Sequence, residues 1–475
     1  MSRPSSRREH GGGLQVCAGV SVLAACVVLL GISSADSRAQ TSHTWLNAYR
    51  ADAARLIKVA QGDDFAYRRL TELTDTFGAR LNGSENLKRA IDWAVETMKA
   101  DGLENVHTEP VMVPHWVRGR ESAEIIEPPQ HTMAMLGLGG SVGTPRGGIE
   151  ADVITVATFD DLQVRRAEAR GKIVLLNAAF TNYSDTVTFR TNGARIAAQH
   201  GALAVLVRSV GPVGLRTPHT GSVQYMPGQA PIPAAAIAAE DANRIARLTA
   251  RGRRVRVRLN MEARTERDIE SANVVGEIRG RERPDEIVLL GGHIDSWDVG
   301  AGASDDGVGC IVTWEALRLM KVLGLRPRRT VRLVLFTNEE NGFGGADAYA
   351  ARYKEAADKH VFALEADSGV FAPAVLGFSG SPAARTVIGQ IATLVSSLGF
   401  TSVGPTGGGA DIGPIAEVGN VPTMAYLGET AKYFVIHHTA ADTVERIAPD
   451  EVTRAAAAIA VMSYVVADMP ERLPR

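Results

Sequence analysis

Cysteine is nearly missing from this chain, with 3 in 475 residues. Cys17 and Cys26 lie close to the amino terminus, so a chain processed after Ala39 keeps Cys310 alone and forms no internal disulfide. An excess of one charge sign is missing too: 51 Lys plus Arg stand against 53 Asp plus Glu, a net of −2. That balance excludes a global basic field, and with it charge-driven binding of nucleic acid or an anionic membrane. After the first 32 residues no run of about 20 apolar residues recurs, so stable membrane insertion of the mature body is not expected. Internal repeats and long low-complexity tracts are also absent, which excludes solenoids and arrays. The chain does contain 45% hydrophobic and 22% charged residues, a globular balance that excludes disordered, collagenous and coiled-coil classes. At roughly 100 to 200 residues per domain, its length predicts two or three domains.

The amino terminus has the layout of a secretory signal. Arg3, Arg7 and Arg8 precede an apolar stretch over residues 14–32, and Ser37-Arg38-Ala39 offers a small-x-small cleavage site. The expected location is therefore secreted or periplasmic. Two minor readings stand beside it: an uncleaved membrane anchor, and a lipid anchor on the lipobox-like Leu23-Ala24-Ala25-Cys26. The paired arginines also hint at twin-arginine export, but the apolar residues that should follow them directly are missing.

Residues 82–101 read as a helix, with Asn82 as N-cap, Glu85 three residues on, a stripe of Leu87, Ile91, Ala94, Val95 and Met98, and Gly102 as the stop. Residues 114–264 change texture and read as a self-contained α/β unit. Within it, strands are expected at 171–176 and 202–207 and helices at 193–200 and 238–249. In its last strand Val255, Val257 and Leu259 face inward and Arg254, Arg256 and Arg258 outward; strict alternation favours a solvated strand face over an anion-binding patch. From residue 272 a larger α/β layer begins, with buried-type strands at 287–290, 331–336 and 361–364. The expected domains are 1–39 as leader, 40–113 and 265–475 as the catalytic parts, and 114–264 as an insert.

Function collects at the carboxyl ends of strands in open α/β sheets, and these strand ends are charged. The first runs into Gly292-His293-Ile294-Asp295 and on to Ser304-Asp305-Asp306-Gly307; the second ends in Asn338-Glu339-Glu340-Asn341; the third ends in Glu365-Ala366-Asp367. His437-His438-Thr439-Ala440-Ala441-Asp442 follows later. Singly, each has a plain explanation: a structural histidine, a helix-capping aspartate, a solvated acid pair. Together they are a metal-ligand set. Adjacent carboxylates repel unless a cation neutralises them, and imidazole and carboxylate are ligands that zinc accepts.

These runs resemble, in order and spacing, the motifs of the M28 family of zinc peptidases, and within it the carboxypeptidase Q group. The resemblance covers nearly the whole mature chain. It implies an α/β fold with a mixed central sheet flanked by helices and an inserted protease-associated domain. It also implies two zinc ions, one held by His293 and Asp367, the other by Glu340 and His438, with Asp305 bridging. Glu339 would be the general base, Asp295 would fix the His293 tautomer, and the Asp305–Asp306 peptide would be cis. His438 is chosen over His437 because it lies four residues before Asp442, as in the family, which leaves His437 structural. The loop at 407–411, with Asp411, and the loop through Tyr433 are expected to line the substrate side. The expected activity is hydrolysis of short peptides by an exopeptidase or dipeptidase, and the resemblance implies a homodimer.

The chemistry fits without the family name. Two divalent ions roughly 3.5 to 4 Å apart acidify a shared water, and a carboxylate that does not ligate carries its proton to the leaving amine. Three rivals remain distinct. Gly139-Gly140-Ser141-Val142-Gly143 matches a serine-hydrolase elbow, but Thr144-Pro145 cannot start the helix that elbow requires. A receptor or scaffold on a dead peptidase fold would have lost ligands, and all five are present. A single-zinc aminoacyl cyclase on the same fold differs in metal content.

Overall fold

The computed structural model describes residues 44–475, so the leader and both anchor readings lie outside the described residues. Residues Tyr49–Arg475 form one compact unit. The three expected apolar runs are the centres of strands Arg283–His293, Arg329–Phe336 and His360–Glu365. They pair in parallel, and Thr423–Leu427 joins them on the far side of His360–Glu365. Strands Ile269–Ile278 and Glu104–Val113 add antiparallel on one edge. Val375–Ser379 adds antiparallel on the other, next to the short Val403–Gly404. The eight-stranded sheet is mixed, as expected.

Strand residues alternate between its faces. Ile287, Leu289, Val334 and Phe336 pack against Ala346, Tyr349 and Ala350 of helix Gly344–Tyr353 and Ile415 of helix Gly413–Gly419. Helices Val308–Val322 and Pro449–Asp468 pack on the strands and on each other. Both are buried on nearly every side, which is why their sequences are apolar all round.

Strands between residues 121 and 261 build a second eight-stranded sheet with Ile149–Val156, Ile173–Leu176, Ala204–Arg208 and Ala234–Ile237 parallel at its centre. Val255, Val257 and Leu259 are buried, and the three arginines pair outward with acids: Arg254 and Arg256 with Asp152, and Arg258 with Glu150 and Glu124. Neighbouring strands thus use the charge that the alternation leaves exposed.

Two expectations need correction. The helix expected at 193–200 spans Tyr183–Gln199, with Asn182 capping Asp185 N–H. Its first half is too polar and β-branched to show a helical stripe. The helix at Glu85–Ala100 is capped by Ser84, whose hydroxyl accepts from Leu87 N–H at 3.1 Å, and the Asn82 side chain is free to bond elsewhere. The elbow-like Ser141 is fully buried; its hydroxyl accepts from Ala234 N–H and donates to Val142 C=O. No nucleophile is presented there.

Candidate active site

Parallel strands place their carboxyl ends on one side of the sheet, and His293, Glu339, Glu340 and Asp367 all leave from that side. Asp305 arrives from the turn before helix Val308–Val322, through a cis Asp305–Asp306 peptide. His293 Nε2 lies 3.3 Å from Asp305 Oδ1 and 3.6 Å from Asp367 Oδ1. His438 Nε2 lies 3.1 Å from Asp305 Oδ2 and 3.0 Å from Glu340 Oε2. Five side chains far apart in sequence therefore meet around Asp305.

Their chemistry fits a cation. His293 Nε2, Asp305 Oδ2 and Asp367 Oδ1 are buried and have no hydrogen-bond partner, a costly state for polar atoms unless something else fills their valence. His293, Asp305 and Asp367 present ligand atoms within 4.8 Å of one another. A second such group is Asp305, His437 and His438, with Glu340 joined to it through His438.

Among themselves these acids cannot all stay ionised. Burial, then the Asp367, Glu340 and Asp305 charges, push Glu339 well above the carboxylate range. Burial and Asp305 raise Glu340 to about 7. Asp305 alone is held well below that range, because His293, His437 and His438 together outweigh its burial. Burial works against the charged form of His293, but the Asp305 and Asp367 carboxylates hold its pKa well above the usual histidine value.

The supporting groups are placed as closely. The His293 tautomer is not fixed by the Asp295 carboxylate, as expected from the motif, but by the Asp295 backbone carbonyl. That carbonyl accepts from Nδ1 at 2.9 Å, while the carboxylate stays 3.9 Å away. The carboxylate instead accepts from the backbone N–H of Glu339 at 3.1 Å and of Glu340 at 3.3 Å, and from the Asn82 amide at 3.1 Å. Asp306 accepts from His293 N–H, and Asp442 accepts from Ser304 and Asp305 N–H at 2.7 and 3.1 Å. In the sequence, Asp442 serves only to set the register of His438, and Asn82 and Asp306 have no assigned role at the site. Asp306 and Asp442 lie inside the motifs, yet a role as acceptor for backbone N–H groups leaves no spacing rule to find it by.

A cleft of about 650 Å³ opens over the cluster, lined by Asp305, Glu339, Glu340 and Asp367 on one side and Tyr433, Phe434, His437 and His438 on another. Tyr183, Arg190 and Val223 of the 114–264 segment complete it. Glu339 keeps a 17% exposed side chain where His293 has none, so it faces the cleft. Tyr433, expected on the substrate side, lines this cleft. Asp411 does not: it is buried away from the cleft with both carboxylate oxygens unpartnered, and its backbone N–H binds Glu365. The 114–264 segment also touches two residues of the cluster directly, through Ser222 Oγ to Glu340 C=O at 2.9 Å and Thr220 N–H to His438 C=O at 2.9 Å.

Comparison with known proteins decides the family. Residues 273–463 match the model of peptidase family M28. Carboxypeptidase Q of Mus musculus is 48% identical over 410 residues, covering 86% of this chain and 87% of that protein, and the Homo sapiens protein gives the same values. The chain belongs to peptidase family M28. A crystal structure of a peptidase M28 precursor from Shewanella amazonensis aligns with TM-score 0.87 and 33% identity, covering 90% of this chain and 99% of that one. A zinc aminopeptidase from Bacillus subtilis shares the fold, with TM-score 0.64, 21% identity and coverage of 86% and 96%. The M28 chain described here is a zinc-dependent metallopeptidase of the exopeptidase or dipeptidase kind.

Proposed function

We propose that this M28 peptidase binds two zinc ions, one through His293 and Asp367 and the other through Glu340 and His438, with Asp305 bridging, and cleaves short peptides in the cleft above them. The observation that carries the reading is the convergence of buried, unpartnered His293 Nε2, Asp305 Oδ2 and Asp367 Oδ1 on one small space. Zinc held there supplies an acidified water and charge neutralisation. The chain's own residues do the rest. Glu339, the most open to the cleft of the paired glutamates, takes the water's proton and returns it to the leaving nitrogen. Glu340 is committed beside His438. Asp295 locks the backbone of both, so neither can exchange roles with the other.

The cleft volume suits a ligand of dipeptide size, and the kinship with carboxypeptidase Q supports dipeptides or carboxyl-terminal residues as substrates. Residues 114–264 act as an inserted protease-associated domain whose helix Tyr183–Gln199 walls the cleft. The leader at 1–39 supports export to a secreted or periplasmic location, and a homodimer belongs to the same reading.

The test combines metal content with one variant. Purified protein loaded with zinc is expected to hold about two ions per chain. Glu339→Gln should keep both ions and lose roughly 10²- to 10⁴-fold in kcat on dipeptides. Near-normal turnover by the fully loaded variant would refute Glu339 as the base; a single ion per chain would refute the paired site.

A further inference from the structure

We propose that Arg80 is a positioning residue of this peptidase: its guanidinium clasps both ends of the segment that joins His293 to Asp305 and so holds those two ligands at the spacing a metal ion needs. The proposal rests on the zinc reading above and gives a role to a buried cation that the reading leaves unused. Arg80 stands between helices Phe65–Phe77 and Glu85–Ala100, 214 residues ahead of Ile294.

The side chain is fully buried, and a guanidinium in such a place usually meets a carboxylate. Here it meets backbone. Nε donates to Ile294 C=O at 2.8 Å, Nη1 to Gly78 C=O at 2.8 Å and Ala301 C=O at 2.7 Å, and Nη2 to Gly302 C=O at 3.0 Å. The main chain adds two more bonds: Arg80 N–H donates to Ser296 Oγ at 2.9 Å, and Arg80 C=O accepts from Ser296 N–H at 3.2 Å.

The place of these acceptors gives the clasp its meaning. Ile294 follows His293 directly, and Gly302 lies three residues before Asp305. Residues 294–302 form neither helix nor strand, so no ladder supplies their carbonyls with donors. One planar fork does so instead, and because its N–H directions are fixed it ties the two ends of the segment to each other. Gly302 lets the chain come this close. Its φ is 54°, and a Cβ there would lie 2.3 Å from Ser296 Cβ and 3.0 Å from Arg80 Nη2.

Beyond Gly302 the Asp442 carboxylate takes over, accepting from Ser304 and Asp305 N–H. The path between the two ligands is thus gripped at its start by Arg80 and at its end by Arg80 and Asp442. His293 Nε2 and Asp305 Oδ1 are 3.3 Å apart, and zinc bonds of about 2.0–2.2 Å to both tolerate a displacement of no more than about 0.5 Å.

The experiment sets Arg80→Lys beside Arg329→Lys. Lysine keeps the charge and loses the fork, so the first variant separates geometry from electrostatics. Arg329 is the matched control: it is equally buried, donates to Glu286 and to the carbonyls of Val466, Met469 and Pro470, and opens strand Arg329–Phe336 at the end away from the site. Zinc affinity by chelator competition, the visible spectrum of cobalt-substituted protein and the thermal midpoint are measured on both and on wild type. Both variants should melt lower. Arg80→Lys alone is expected to bind zinc roughly 10- to 100-fold more weakly and to shift the cobalt bands, which report ligand geometry. Wild-type affinity and bands in Arg80→Lys would overturn the proposal, and so would an equal loss in Arg329→Lys, since either outcome leaves Arg80 a stabiliser of the fold and nothing more. Should Arg80→Lys not fold, Ser296→Ala, which removes one acceptor of the clasp, decides in its place: a several-fold weaker zinc complex supports the clasp and an unchanged one removes it. Wild-type protein that binds no zinc sinks the metal reading itself, whereas a zinc-binding wild type with an unaffected Arg80→Lys sinks this proposal alone.

Discussion

A single carboxylate shows how much of this site is built from hydrogen bonds to the backbone. Asp295 is fully buried and stands outside the proposed ligand set, yet it accepts from the N–H groups of both Glu339 and Glu340 and from the Asn82 amide. Replacing it with alanine leaves those donors without an acceptor, at about 1–3 kcal/mol for each buried group. The turn carrying Glu339 and Glu340 should then relax, because its two N–H groups lose the acceptor they share. Asp295→Ala is expected to weaken zinc binding by roughly 10- to 100-fold and to lower kcat together with metal affinity. Chelator competition at fixed pH measures the first effect. An alanine variant with wild-type zinc affinity would show that Asp295 orders nothing that matters to the ligands.

Among the elements, legibility followed periodicity and strand-end chemistry. The buried strands at 287–290, 331–336 and 361–364 are plain in the sequence as short apolar runs, and each carries its charged residues at the end where parallel strands collect them. The helix Tyr183–Gln199 is legible only in its second half, because residues 183–192 lack an apolar stripe; that half faces the cleft, where Arg190 and Tyr183 serve the site. Asp411 misleads because acidic loops near glycines read as substrate loops, whereas Gly409 is there to let the backbone close on Glu365: a Cβ would sit 2.1 Å from its carboxyl carbon. Gly139 makes the same kind of close approach beside the cluster. A Cβ at Gly139 would lie 2.0 Å from the Trp297 ring, and Trp297 donates its backbone N–H to Glu340 Oε1 at 3.2 Å. Gly139→Ala must therefore move a buried indole, at about 1–3 kcal/mol for overpacking. The expected result is a lower thermal midpoint and weaker zinc retention, read by denaturation and by metal analysis after dialysis. Zinc retention equal to that of the wild type would show that the ring moves without disturbing Glu340.

At the scale of the whole molecule, the buried acids make stability depend on pH with a sign that metal removal exposes. Without zinc, burial and then Asp305 raise Glu340 to about 7 and Asp442 to about 7, and Glu339 lies well above the carboxylate range. A carboxyl whose folded pKa exceeds its unfolded value binds more protons when folded, so unfolding becomes easier as pH rises through that interval. Glu340 and Asp442 each remove a few kcal/mol between roughly pH 4 and pH 7, and Glu339 acts in the same direction. Asp305 works in the opposite sense, but below the ordinary carboxylate range, outside this window. Zinc reverses the slope: its ligands bind it deprotonated, so its stabilisation grows as pH rises. Chelator-treated protein should therefore melt lower at pH 8 than at pH 5.5, and zinc-loaded protein should gain most over it at pH 8. Thermal denaturation across that range, with and without chelator, measures both slopes. A metal-free protein whose melting temperature climbs from pH 5.5 to pH 8 would mean that these carboxyls are already ionised and that the cluster needs no cation to hold it together.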